Sequence, residues 1–179
     1  MTISELSARI DRAQVRLDTE IEAQAAIAGN DIVALVTNRV VQSGKASDDA
    51  PFTPYSTTEL PAFFYFNKSR NACGEAKVRA KAKKKEPISY KEFRALNSLN
   101  TSPKNFEFAG SMWRGFGVTK TQRTPSGAIV TIGGRNQDSE QKIEHNSARE
   151  GKSIIKPSAG EIAIVQATLN RWLNSVING

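Results

Sequence analysis

Residues 113–132, WRGFGVTKTQRTPSGAIVTI, contain two runs of strand-forming residues separated by a turn sequence. β-branched residues recur in both runs and favour extended backbone, so we expect strands over residues 113–121 and 128–132. The residues between them, 123–127, have the RTPSG sequence that is typical of a hairpin connection. Helical patterns precede and follow this hairpin. The order of elements therefore predicts an α+β fold.

Both ends of the chain show helical periodicity. Apolar residues recur every three or four positions from residue 3 to residue 21, and again from residue 162 to residue 176. Ser158 and Glu161 have the spacing of a capping box at the start of the second of these helices. Near the first, Gly29 separates the helical stretches 4–28 and 31–42. They form either two helices or one long helix, because Gly inside a helix costs only about 1 kcal/mol.

Residues 60–105 interrupt these regular parts, and we interpret them as a long insertion within a single domain of residues 1–179. Within it, residues 72–85 are rich in Ala and Lys, and Val78 is their only substantial apolar side chain. A helix over this stretch is therefore expected to bury no face of its own. The predicted architecture is an antiparallel sheet, N-terminal and C-terminal helices, and this insertion between them.

The net charge is concentrated in the insertion. The chain has 25 Lys and Arg against 18 Asp and Glu, which gives a formal net charge of +7. Residues 67–95 alone hold ten cations and three acids, a difference equal to that whole excess. Such a basic block meets a polyanion or an acidic partner, or is simply a solvated face. The residues that would contact DNA or an acidic partner are Lys77, Arg79, Lys81, Lys83, Lys84 and Lys85.

Four consecutive aromatic residues follow Pro61 in the sequence PAFFYF. Consecutive aromatics match neither the helical nor the strand period, so we expect them to be buried on both sides, against the core or another subunit. Two further aromatics lie within the first predicted strand. The hypothetical interface or core anchors are Phe63, Phe64, Tyr65, Phe66, Trp113 and Phe116.

The sequence contains little evidence for a catalytic site or a metal site. The single cysteine, Cys73, excludes a disulfide framework, and the single histidine, His145, removes schemes that need a second imidazole. Gly151 and Lys152 resemble the end of a phosphate-binding loop, but Asn146 stands where that loop needs its first glycine. We therefore predict no metal, no cofactor and no enzymatic activity. An enzyme remains a third alternative, which would require a three-dimensional partner for His145.

The chain lacks the patterns of membrane and secreted proteins. Its densest apolar stretch, PAFFYF, is far shorter than the roughly 18 residues of a membrane span. The first residues carry charges where a signal peptide would have an apolar core. We expect a soluble, intracellular protein with no membrane contact.

Six segments occur in a recognisable order along the chain. They are ALVTNRVVQSGK (34–45), PFTPYS (51–56), NFEFAGSMWRGF (105–116), AIVTIGG (128–134), QKIEHNSAREG (141–151) and IIKPSAGEIAIVQATLNRWL (154–173). In this order they resemble the phage virion-morphogenesis and tail-completion family, small proteins of the head–tail junction of tailed bacteriophages. The resemblance spans both ends of the chain but not residues 60–105. Ala109 stands where the family has Thr.

The resemblance implies a sheet with helices on one side, assembled as a homo-oligomeric ring of about six or twelve subunits. It also implies a structural role in the virion neck, after synthesis in the host cytoplasm. Such a ring links the portal or connector to the tail and keeps a channel open for DNA. The basic residues would then contact DNA non-specifically or grip an acidic face of the adjoining ring. The alternative function is a basic protein that binds nucleic acid without sequence specificity through residues 77–85.

Overall fold

The structure, a computed structural model, describes residues 2–107 and 109–178. Phe108, which belongs to one of the quoted segments, lies outside the described residues. The helices are α1 (Ile3–Asn38), α2 (Ala72–Lys83), α3 (Tyr90–Leu96), α4 (Ser111–Gly115), α5 (Gln137–Glu150) and α6 (Ala159–Asn178). The strands are β1 (Glu59–Pro61), β2 (Pro87–Ser89), β3 (Phe116–Thr124) and β4 (Gly127–Gly134). Six helices and two small antiparallel sheets confirm the predicted α+β class.

Helix α1 is one continuous helix of 36 residues, so the second of the two alternatives at Gly29 is the correct one. Its first turn is fixed by a capping box in which Thr2 and Glu5 each accept a hydrogen bond from the other's backbone N–H. The helix continues into a π-helical turn, Arg39–Ser43, and ends at Gly44, whose φ of 60° is left-handed. Gly29, in the C-terminal third of α1, is buried against the β-hairpin.

The predicted hairpin is present, with different limits. Strand β3 begins at Phe116 rather than Trp113, and it pairs with β4 from Phe116↔Gly134 to Thr124↔Gly127. Trp113 lies in the short helix α4, where its indole N–H donates to the carbonyl of Asn105 at 2.9 Å. The strand prediction failed at Trp113 because this contact, made by a residue eight positions earlier, is not visible in a local pattern. A tertiary contact overrode β propensity here.

Helix α6 runs antiparallel to α1. Arg39, at the end of α1, forms an ion pair of 2.8 Å with Glu161 in the first turn of α6. Near the other end, the Arg9 guanidinium donates to the carbonyl of Ile177 at 2.8 Å. The predicted capping box of α6 is confirmed, because Ser158 and Glu161 exchange hydrogen bonds of 2.7 and 3.2 Å.

The main hydrophobic core lies between the C-terminal part of α1, the loop after it, α4, α5 and the segment before α6. Its buried members are Val36, Val40, Ala46, Phe52, Met112, Phe116, Ile143 and Ile154. Trp113 and Ile132 pack against it from the side. The buried residues of the main core therefore come from the parts of the chain before and after the central insertion, and none comes from the insertion itself.

The central segment has a second core. This segment is the insertion, residues 60–105. Strands β1 and β2 pair from Glu59↔Ser89 to Pro61↔Pro87 and hold the start of the segment against its middle part. Its buried members are Ala62, Tyr65, Val78, Ile88 and Phe93.

Helix α2 contributes to this second core, so the expectation that it would bury no face was wrong. Val78 is fully buried, and Gly74 lies so close to Asn97 that a Cβ atom there would be 2.3 Å from Oδ1. One valine and one glycine are sufficient to pack α2 onto this core, because the glycine lets the helix backbone come close to its neighbour and so takes the place of a larger side chain. Composition alone did not reveal this face.

Candidate assembly surfaces

The aromatic run divides into an inward and an outward half. Residues Ala62–Tyr65 form a 3₁₀ turn, in which side chains three positions apart lie on the same face. Ala62 and Tyr65 therefore both point into the second core. Phe63 and Phe64 point outward and are 59% and 50% exposed, so the core of one chain covers only part of the run, and burial of these two rings against another subunit stays a prediction.

Phe63 and Phe64 form a stacked pair on the protein surface. Their ring centroids are 4.7 Å apart with an interplanar angle of 24°. We call these two residues the aromatic pair. A rigid stacked pair offers a large apolar area with little side-chain entropy to lose on contact, as at many protein interfaces.

The other four candidate anchors are occupied within the chain. Tyr65 stacks on Phe93 at 4.7 Å, and the Arg79 guanidinium lies 4.7 Å from the centre of the Phe66 ring. Trp113 and Phe116 meet edge to face at 5.9 Å beside the main core. These four residues serve as core anchors, and the aromatic pair remains as the exposed part of the predicted set.

A second apolar surface lies on the N-terminal part of α1. Ile3, Leu6 and Ile10 lie on one stripe and are 89%, 43% and 57% exposed. We call these three residues the arm face. Leu6, Ile10 and Leu17 also line a groove of about 350 Å³ whose far wall is Ile177 of α6. The periodicity of the sequence predicted this stripe. No local pattern could indicate that α6 ends beside the stripe and leaves the first residues of the stripe uncovered.

The basic segment, residues 77–85, is partly neutralised. The Lys81 ammonium lies 2.7 Å from Glu86 and 3.2 Å from Glu92, and the hydrogen bond to Glu86 raises the pKa of Lys81. Arg79 pairs with Glu75 at 2.9 Å. The remaining candidates are exposed and form no ion pair with any described residue; these are Lys77, Lys83, Lys84 and Lys85. Four of the six predicted contact residues are therefore free to meet an anion.

The cysteine and the histidine that could serve in catalysis lie on different helices. Cys73 is exposed on α2 and His145 is exposed on α5. Lys152 lies 3.6 Å from Asp48 and makes a solvent-facing ion pair. Within residues 2–107 and 109–178, no group of three or more His, Cys, Asp or Glu side chains could hold a metal ion.

No protein-family model, no curated protein and no solved structure matches this chain. Among the described helices, none is both long and apolar enough to cross a membrane.

Proposed function

We propose that this protein is a structural subunit of the tailed-phage head–tail junction, where copies form a ring that links portal or connector to tail. The observation that carries the proposal is the presence of two different exposed apolar surfaces, the arm face on α1 and the aromatic pair beside β1. They are far apart in sequence, belong to different elements and have different shapes. The role is mechanical and needs no active site.

Two unlike surfaces are what a ring requires. In a ring, each subunit uses one surface against the preceding copy and another against the following copy. A two-fold dimer instead buries the same patch on both partners. Contiguous apolar area that a monomer leaves in water typically marks an interface. The stacked Phe63 and Phe64 rings and the groove beside Ile177 both have this character.

The basic segment belongs to the same structural unit as the aromatic pair. Val78 of α2 packs in the second core with Ala62 and Tyr65, which flank the pair in sequence. A partner that covers Phe63 and Phe64 would therefore lie near the lysines of α2. DNA in a channel or an acidic face of a neighbouring ring would satisfy this charge equally well.

The proposal is tested by quantitative mass spectrometry of purified phage particles from the source host. We expect about six or twelve copies of this chain per particle, measured against the portal protein, because closed rings have fixed copy numbers. Absence of the chain from particles would overturn the structural assignment.

The second candidate function is non-specific nucleic-acid binding through the basic segment. The four lysines that pair with no carboxylate in the described part of the chain favour it, because each can neutralise one phosphate. Its distinguishing property is a steep dependence of affinity on salt concentration.

A further inference from the structure

A cleft of about 460 Å³ lies between the main core and the central segment. One side is formed by the loop 53–56 and by α3, and the other by α4 and the C-terminal half of α5. Its volume falls in the range of pockets that hold small molecules. The walls combine aromatic surface, from Tyr55, Tyr90 and Phe106, with an unusual number of cations.

Four cationic side chains and one carboxylate line this cleft. They are Arg94, Lys104, Lys142, Arg149 and Glu150. Two of the cations have their own counter-ions. The Lys104 ammonium lies 2.5 Å from the carboxylate of Glu150, and both side chains are largely buried. At the rim, Lys142 pairs with Asp138 at 2.6 Å.

Glu150 is ionised in this arrangement, and its charge balances that of Lys104. Burial alone would raise the pKa of Glu150, but hydrogen bonds from Lys104 and from the Thr53 N–H outweigh it and hold the pKa below its ordinary value. The Thr53 N–H donates to the second carboxylate oxygen at 3.0 Å. The only carboxylate that lines the cleft among the described residues thus balances one lysine and leaves the two arginines uncompensated.

Arg94 is the unusual member, because it is a cation with 1% exposure whose hydrogen-bond partners among the described residues are neutral. Its Nε donates to the carbonyl of Asn100 at 2.8 Å, and Nη2 donates to Oδ1 of Asn105 at 3.2 Å. The guanidinium carbon lies 4.1 Å from the centre of the Tyr55 ring. Within the described chain, neither Arg94 nor Arg149 has a carboxylate within ion-pair distance. A buried charge without a counter-ion is costly, so this arrangement is typical of a site whose counter-ion is a ligand.

We propose that this cleft binds a small phosphate-bearing molecule, with the phosphate held by Arg94 and Arg149. A phosphate monoester carries close to two negative charges at pH 7, which matches the two uncompensated guanidinium groups. The planar guanidinium of Arg149 can bind phosphate oxygens in pairs. Arg94, whose Nε and Nη2 already donate to Asn100 and Asn105, would add its charge and its remaining N–H groups. The flat surfaces of Tyr90 and Phe106 would contact an apolar or aromatic portion of the same molecule. This site is independent of the proposed assembly role, since neither the arm face nor the aromatic pair lines it.

The test is isothermal titration of the full chain with phenyl phosphate in phosphate-free buffer of low ionic strength. We expect saturable binding below about 10 mM, with inorganic phosphate binding more weakly because it lacks the ring. Arg149→Gln should weaken binding about tenfold, the usual effect of losing one charge-assisted hydrogen bond. Arg12→Gln is the matched control: it removes the same charge from an exposed position of α1 outside the cleft, and binding should not change.

Three outcomes would overturn the proposal. They are the absence of saturation, an equal loss in the Arg149→Gln and Arg12→Gln variants, and equal affinity for phenyl phosphate and inorganic phosphate. Displacement of phenyl phosphate by duplex DNA would assign the phosphate to nucleic acid and would overturn the small-molecule source. Because Arg149 is exposed, its variant should remain folded, which circular dichroism checks. Arg94→Lys provides a second readout, since it keeps the charge but loses the planar fork and should weaken phenyl phosphate binding as well.

Discussion

Arg39 and Glu161 form an ion pair of 2.8 Å with side chains only 10% and 8% exposed, although 122 residues separate them in sequence. Arg39 also donates to the carbonyls of Lys45 and Lys156 at 2.6 and 2.8 Å. The guanidinium at the end of α1 is therefore linked both to the loop after that helix and to the start of α6. This contact fixes how the two ends of the chain meet around the main core.

Glu161→Gln should destabilise the protein by about 3 kcal/mol, because it leaves the buried Arg39 without a counter-charge. Glutamine can still cap the first turn of α6, so the substitution isolates the loss of charge. Urea unfolding at pH 7 measures the effect. Glu22→Gln, at an exposed position of α1, is the control and should change stability by less than about 0.5 kcal/mol. Equal stability of the two variants would show that the pair contributes nothing.

Stability should also fall in acid because of the same pair. Burial would raise the pKa of Glu161, but hydrogen bonds from Arg39 and from the Ser158 N–H outweigh it and lower the pKa below 4.5. Since the folded-state pKa lies below the unfolded one, the stabilisation is complete above the unfolded pKa and is lost as the pH falls through the folded pKa. Thermal unfolding between neutral pH and pH 3 should therefore show a smaller decrease in Glu161→Gln than in the wild type. Parallel curves would contradict this assignment.

Gly29→Ala should be destabilising even though alanine is the better helix former. A Cβ atom at this position would lie 2.5 Å from Cγ1 of Val130 and 2.9 Å from Cγ2 of Val118, which pack on α1 from the hairpin. Overpacking of this kind costs about 1–3 kcal/mol, more than the gain of about 1 kcal/mol in helix propensity. Gly160→Ala in α6 is the matched control, because its nearest neighbour is 4.0 Å away, and it should be neutral or stabilising. The melting temperatures of the two variants give the comparison.

Gly29 also illustrates which features of the fold a local sequence pattern cannot predict. The helical stripes, the capping box at Ser158 and the hairpin after Gly115 were predictable, because each depends on residues close in sequence. The close packing of Gly29 against Val130 depends on residues about a hundred positions apart, so a local pattern could only indicate a break. The division of PAFFYF into buried and exposed halves likewise depends on the fold around it. The cleft could not be predicted at all, because the cations that line it come from three separate segments.

The nucleic-acid alternative makes a quantitative prediction for the basic segment. Four lysines form no ion pair within residues 2–107 and 109–178. A plot of the logarithm of the affinity for duplex DNA against the logarithm of the salt concentration should therefore have a slope of about −3.6. Replacing Lys83 and Lys84 with Gln should reduce the magnitude of the slope by about 1.8. Replacing Lys81 should have less effect, since Glu86 and Glu92 already neutralise it. Fluorescence anisotropy at several salt concentrations gives these slopes, and a flat response would reject the alternative.

The aromatic pair should be needed for assembly and dispensable for folding. The double substitution Phe63→Ser and Phe64→Ser removes rings that are half exposed or more, so the free energy of unfolding should change by only about 1 kcal/mol. If the pair contacts a neighbouring subunit, the variant should give no tailed particles when it replaces the wild-type chain in infected cells. Tyr65→Ser is the contrasting control. It removes a buried ring stacked on Phe93 and should cost about 3 kcal/mol or more, so that folding itself is impaired. Normal particles from the double variant would exclude the pair from the interface, and a folding defect equal to that of Tyr65→Ser would show that it belongs to the second core.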